Sequence, residues 1–134
     1  MIRKLTILTR GPGLVEISNK IDDVLREVDI EEGLCTVFIP HTSASLIVQE
    51  NADPSARLDL EGWMNRLVQE SDPNFTHRFE GTDDMPAHIK TALTATSVAI
   101  PIIHGQLALG TWQGVFLWEH RRHEHNRSII LHII

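Results

Sequence analysis

Three separate stretches of the chain carry side chains able to do chemistry. The first is Pro40-His41-Thr42-Ser43-Ala44-Ser45, followed shortly by Glu50-Asn51. In an extended backbone alternate side chains share a face, so His41, Ser43 and Ser45 would set an imidazole beside two hydroxyls. Hydroxyls and free backbone N–H groups at a strand bend also suit a bound phosphate or carboxylate. A polar turn whose Ser and Thr satisfy their own backbone accounts for the same spacing equally well.

The second stretch is Gly81-Thr82-Asp83-Asp84-Met85-Pro86-Ala87-His88. Asp84 and His88 are four apart and share one face if the segment is helical. A helix N-terminus disfavours the imidazolium form, which would leave His88 neutral as a base or ligand. The plainer alternative makes Asp84 a helix cap and His88 a surface residue.

The third runs from Gly110-Thr111-Trp112-Gln113-Gly114 to Glu119-His120. Glycines flanking a Trp-Gln pair in a strand suggest a bulge or a close approach of another backbone. Trp112 reads as core packing, so its truncation to Ala should cost on the order of 3 kcal/mol or more. Glu119 closes a strongly apolar strand, where an acid usually has a partner or a job. Beyond it, His120-Arg121-Arg122-His123-Glu124-His125-Asn126 reads as a solvated hairpin loop. Arg127 stands apart as the start of the next strand, where its guanidinium could fork onto a phosphate or carboxylate. His77 and His132 receive no role, and Asp59 is a weak candidate for a polar partner or site acid.

None of the local metal spacings, paired cysteines or His-Glu-x-x-His, is present. A site must therefore be assembled from distant segments, and the elements between them decide whether it forms. Ile2 to Thr9 alternates as a half-buried strand does. Apolar positions from Val15 to Asp29 recur at helical spacing. Leu34 to Ile39 and Ser43 to Gln49 read as strands. Asp53-Pro54 opens a helix to about Glu70, with Leu60, Met64, Leu67 and Val68 as its apolar face. Residues 71–82 form a surface loop of functional length. A helix from about Met85 to Thr94, capped by Asp84, precedes a β meander: Ser97 to Ile103, a turn at His104-Gly105, Gln106 to Leu109, Trp112 to Glu119 and Ser128 to Ile133. The expectation is one α+β domain, a mixed or antiparallel β-sheet or sandwich with about three helices.

Composition sets the outer bounds. At 134 residues, 42% hydrophobic and 22% charged, the chain has the make-up of one globular domain. Its net charge of −6 repels a phosphate backbone, so nucleic acid is not an expected partner. The single cysteine, Cys35, lies in an apolar run and reads as a buried, inert thiol. With no signal-peptide-like start and no apolar run of about 20 residues, no membrane is expected and the cytoplasm is the expected compartment.

These motifs together resemble the UPF0047 (YjbQ-type) family. Ser97-x-x-Ile100-x-Ile102-x-x-Gly105-x4-Gly110-Thr111-Trp112-Gln113-x-Val115 is similar to its signature at every defined position. His41-Thr42-Ser43-Ala44-Ser45-Leu46 with Glu50-Asn51, and Gly81-x-Asp83-Asp84-Met85-Pro86-x-His88-Ile89, look like its other two motifs in order. The resemblance covers essentially the whole chain. It implies an α+β homotrimer associated with a thiamine phosphate synthase side activity, in which a pyrimidine methyl diphosphate joins a thiazole phosphate and pyrophosphate leaves. The polar residues it carries over are His41, Asp84, His88, Trp112, Gln113, Glu119 and Arg127.

From that set and the hydroxyls beside His41, the expected roles are catalytic for His41, Asp84, His88 and Glu119. Thr42, Ser43, Gln113 and Arg127 are expected to bind a small phosphorylated metabolite. A divalent ion, Mg or Zn, is expected on His41, His88 and Glu119. A non-catalytic metal- or anion-binding homotrimer is the alternative.

Overall fold

The computed structural model describes residues 1–134. Eight strands and three helices follow in the order β1 (Ile2–Thr9), β2 (Gly13–Glu16), α1 (Ser18–Val28), β3 (Glu32–Phe38), β4 (Ala44–Glu50), α2 (Pro54–Leu67), α3 (Asp84–Leu93), β5 (Ser97–Ile103), β6 (Gln106–Leu107), β7 (Gln113–Glu119) and β8 (His125–Ile133). A five-stranded antiparallel sheet runs β1-β8-β3-β5-β6, and a three-stranded one runs β2-β7-β4. The α+β class and three helices agree with the sequence pattern.

β7 explains how the layers stack. Its residues from Gly114 to Glu119 are all buried, because both faces of the small sheet are covered. Val115 and Leu117 join Ile7, Ile17, Leu25, Val37, Ile129 and Leu131 in the main core, between the two sheets and α1. The alternate residues Phe116 and Trp118 pack with Leu14, Met64 and Val68 in a second core beneath α2. Alternation therefore continues past Trp118 and sends Glu119 toward the large sheet and His120 toward the helices.

Local chemistry fixes the ends. Asp53 caps α2, its Oδ1 accepting from the Ser55 backbone N–H at 2.9 Å, with Pro54 in the first turn. His104 and Gly105 take φ of 53° and 76°, the two left-handed residues of a tight hairpin joining β5 to β6. Cys35 is fully buried, and desolvation with the nearby Asp22 charge pushes its thiol up to about 11. It is inert, as its apolar neighbours suggest.

Several elements differ from the sequence pattern. The start of the stretch expected to be helical before α1 belongs instead to the separate short strand β2, paired to β7. Asp84 is not a cap; the residue flanking α3 is Asp83, which makes no side-chain cap bond. β8 begins at His125, so Arg127 sits within the strand, opposite Ile7. β6 is only two residues long. Leu67 lies on the outer side of α2, 54% exposed, and Trp112 is 64% exposed before β7 begins rather than in the core. No helix is long and apolar enough to cross a membrane.

Candidate functional site

Glu119 is fully buried and saturated with donors. Its Oε1 accepts from Thr9 Oγ1 at 2.6 Å and Arg127 Nε at 2.7 Å. Its Oε2 accepts from the backbone N–H groups of His120 and Arg121, at 3.0 and 3.1 Å, and from an Arg127 terminal nitrogen at 2.5 Å. Burial pushes this carboxyl up, but the bonds from Arg127 and Thr9 outweigh it and hold it below the usual range. With five donors on two oxygens it has no lone pair left for an ion. The structure makes Glu119 the anchor of Arg127 rather than a metal ligand.

That anchor aims Arg127. One terminal nitrogen also donates to the carbonyl and hydroxyl oxygens of Ser43, at 3.2 and 3.0 Å. The other lies 3.5 Å from His41 Nδ1. His41 Nε2 accepts from the Ser128 backbone N–H at 2.9 Å, so that nitrogen is bare and Nδ1 carries the proton. The 3.5 Å separation thus stands between two donors. Desolvation and the Arg127 charge lower the His41 pKa against the pull of Glu119, which favours the neutral ring.

The second segment folds against the first. His88 Nδ1 lies 2.8 Å from the Thr42 carbonyl oxygen, and His88 Nε2 lies 3.0 Å from Asp84 Oδ2, one turn earlier on α3. The same Oδ2 meets His77 Nε2 at 2.6 Å, and Asp84 Oδ1 accepts from Arg121 at 2.5 Å. Burial raises the Asp84 pKa, but the His77 bond, His88 and Arg121 more than reverse it. Arg121 also bonds Asp83 at 3.0 Å. His41, Thr42, His88, Thr91 and Thr94 border an open cleft of about 560 Å³. Through His41, Thr42 and Thr96 it adjoins one of about 430 Å³ that Arg127 borders.

The first two stretches, far apart in the chain, therefore meet at one hollow. Gln113 does not: six residues from Glu119 along β7, roughly 20 Å away, its Oε1 accepts from the Gly110 backbone N–H at 2.8 Å. Trp112 stays with it at that far end. The expected common face of His41, Ser43 and Ser45 is also absent. β4 starts only at Ala44, so Ser43 turns to Arg127 while Ser45 turns the other way, its Oγ 2.9 Å from His120 Nε2.

Sequence reasoning missed four residues. His77 lies in a loop without periodicity, and nothing local marks it. Arg121 and His120 fall in a run with the character of a solvated loop, yet His120 is 4% exposed and desolvation, with Lys90 nearby, pushes its pKa down to about 3. Continuing the β7 alternation one residue beyond Glu119 would have found His120. Thr9 is the last inward position of an alternating strand, a signal too common to single it out. Asp59 is exposed on α2 and His132 on β8, and neither approaches the cleft.

An α+β domain of two antiparallel sheets, with a polar cleft where a loop and the C-terminal half of α3 meet the sheet edges, is the class that fold and site define. Residues 3–134 match the family model described as UPF0047 protein YjbQ-like, and the chain belongs to that family. It is 54% identical to the UPF0047 protein sll1880 of Synechocystis over 129 residues, 96% of this chain and 88% of that one. It is 43% identical to the UPF0047 protein YjbQ of Escherichia coli O157:H7, over 94% and 90% of the two chains. Among solved structures, a YjbQ/UPF0047 protein of Clostridium acetobutylicum superposes with a TM-score of 0.90 at 30% identity, covering 98% of this chain and 99% of that one. A conserved hypothetical protein of Thermus thermophilus does so with 0.88 at 33% identity and the same coverage.

Proposed function

We propose that this chain is an enzyme-like protein that binds and acts on a small phosphorylated or otherwise anionic metabolite in the cleft between His41 and His88. One observation carries the reading: the Nδ1–H of His41 and a terminal N–H of Arg127 are two donors 3.5 Å apart. Two donors so placed have no use for each other, and one oxygen of a phosphate can accept from both. The Thr42 and Ser43 segment, with Thr91, Thr94 and Thr96 around the hollow, adds hydroxyls for the remaining oxygens.

Within this reading Arg127 and His41 stabilise charge on a departing phosphate or pyrophosphate. His88, oriented by Thr42 and Asp84, accepts or delivers a proton at Nε2 when no metal ion holds that nitrogen. The thiamine phosphate synthase reaction rests on the family resemblance alone, and a divalent cation would serve it by neutralising diphosphate charge. Assembly as a homotrimer is part of the same proposal. It is supported by exposed apolar residues on the outer face of the large sheet, among them Ile2, Leu34, Phe38 and Ile103.

Calorimetric titration with inorganic pyrophosphate tests the binding. Saturable binding is expected, weakened at least ~10-fold in His41→Ala by loss of one charge-assisted bond. Binding unchanged by that substitution would refute the assignment. Pyrophosphate release from mixed pyrimidine diphosphate and thiazole phosphate separates an enzyme from a non-catalytic anion- or metal-binding trimer.

A further inference from the structure

We propose that His77, Asp84 and His88 form a three-ligand site for a divalent transition-metal ion of the zinc type. The site stands on its own ligands and would survive failure of the anion-binding reading.

Protons and lone pairs carry the inference. A carbonyl oxygen only accepts, so the 2.8 Å contact with Thr42 places a proton on His88 Nδ1. A neutral His88 then has a bare Nε2, and that nitrogen faces Asp84 Oδ2 at 3.0 Å. His77 Nε2 faces the same oxygen at 2.6 Å. Two imidazole nitrogens thus converge on one carboxylate oxygen. His77 can donate to it as the neutral Nε2–H tautomer, but His88, whose Nδ1 already holds its proton, faces it with a bare nitrogen unless the ring takes a second proton or a metal ion lies between. One metal ion bound by two neutral rings and the carboxylate satisfies all three atoms. The three ligand atoms lie within 4.8 Å of one another. Ligands on a tetrahedral zinc sit roughly 3.3 Å apart for bonds of about 2.0–2.1 Å, so side-chain shifts of up to about an ångström, within reach of a half-exposed loop histidine, admit the ion.

The surroundings are those of a metal site. Donation from His88 Nδ1 to a backbone carbonyl fixes the tautomer and turns Nε2 inward, the usual outer-sphere support of a metal-bound histidine. Arg121 occupies Asp84 Oδ1 at 2.5 Å and leaves Oδ2 free to bind through one oxygen. Asp84 is buried, while the side chains of His77 and His88 are 45% and 29% exposed, so an ion would be reachable from solvent. Two histidines and one carboxylate suit zinc and its neighbours in the first transition series and offer poor purchase for magnesium. Three protein ligands leave a position for water or substrate, the pattern of catalytic rather than structural zinc. His88 borders the cleft of about 560 Å³, with its Nδ1 edge toward Thr42, while His77 borders a separate hollow of about 230 Å³.

Metal-stripped full-length protein titrated with Zn²⁺ by calorimetry, and with Co²⁺ while recording its visible absorption, tests the site. One equivalent per chain is expected, with the intense visible bands of low-coordinate cobalt. His77→Ala removes a loop side chain that is half exposed, so the fold should persist, as a circular dichroism spectrum would confirm. Loss of an outer-sphere partner weakens metal binding about 10- to 100-fold, so loss of this direct ligand should cost about 100-fold or more. His88→Gln should do the same, and His123→Ala combined with His125→Ala should change nothing. Binding that survives His77→Ala and His88→Gln, or that vanishes with His123 and His125, would overturn the proposal, as would no binding at all.

Discussion

Arg127 meets Glu119 side-on, its Nε 2.7 Å from Oε1 and a terminal nitrogen 2.5 Å from Oε2, with both side chains almost completely buried. The pair links β8 of the large sheet to β7 of the small one and carries Thr9 and two backbone N–H groups with it. Removing Glu119 leaves the Arg127 charge, almost wholly withdrawn from water, without its counter-ion. Glu119→Ala should therefore destabilise the protein by about 3–5 kcal/mol in chemical denaturation. A loss under about 1 kcal/mol, the level of an exposed pair, would show that water reaches it.

Stability should fall with acid from the histidine range downward. An unfolded His120 titrates near 6.5, whereas burial brings the folded one to about 3, so between those values the unfolded chain binds the extra proton. The stabilisation is complete above 6.5 and drains away as pH drops toward 3, and the lowered pKa of His41 acts in the same sense. Asp83, Asp84 and Glu119 also titrate below their ordinary values, so their contribution is present at neutral pH and lost below about 4. Melting temperatures measured across this range should decline from pH 6.5. His120→Gln should flatten the upper part of that decline. A wild-type curve level down to the carboxylate range would contradict a buried neutral His120.

Trp112→Ala should change stability little, within about 0.5 kcal/mol, because the indole is 64% exposed in the turn before β7. The sequence argument for a core tryptophan leads to a loss several times larger, so a thermal melt of this one variant separates the two.

Gly114→Ala should be costly. A Cβ there would lie 2.4 Å from Glu16 Oε2 and 3.0 Å from Asn51 Cβ. Moving Glu16 aside breaks its bond with Ser18 at 2.9 Å, and Asn51 Cβ, fixed to its backbone, leaves the new methyl tight, so a loss of about 1–3 kcal/mol is expected in denaturation. A neutral substitution would mean that Glu16 is free to move.

The contrast between Trp112 and Gly114 shows how far the residues themselves reach. The glycine betrays a close approach because it lacks a side chain, while an indole suits a core or a surface equally. β5 has the bounds its sequence suggests because a β-branched run ends on His104-Gly105, whose backbone preferences close a hairpin. β2 is hidden because its four residues adjoin a helical periodicity and its pairing partner lies far along the chain in β7. Asp84 and His88 are legible through helical spacing, but His77 reaches them across an irregular loop that leaves no periodic trace. Glu119 can be marked as an acid in need of a partner, yet that the partner saturates both its oxygens depends on where β7 and β8 cross. Long-range placement, not side-chain type, is the missing information.

Crystals soaked with zinc and pyrophosphate test the convergence of the separate stretches most directly. The expected result is an anomalous zinc peak bonded to His77, Asp84 and His88, with a phosphate oxygen shared by His41 and Arg127 in the adjoining hollow. Zinc on His123 and His125, with pyrophosphate absent from the His41 cleft, would contradict it.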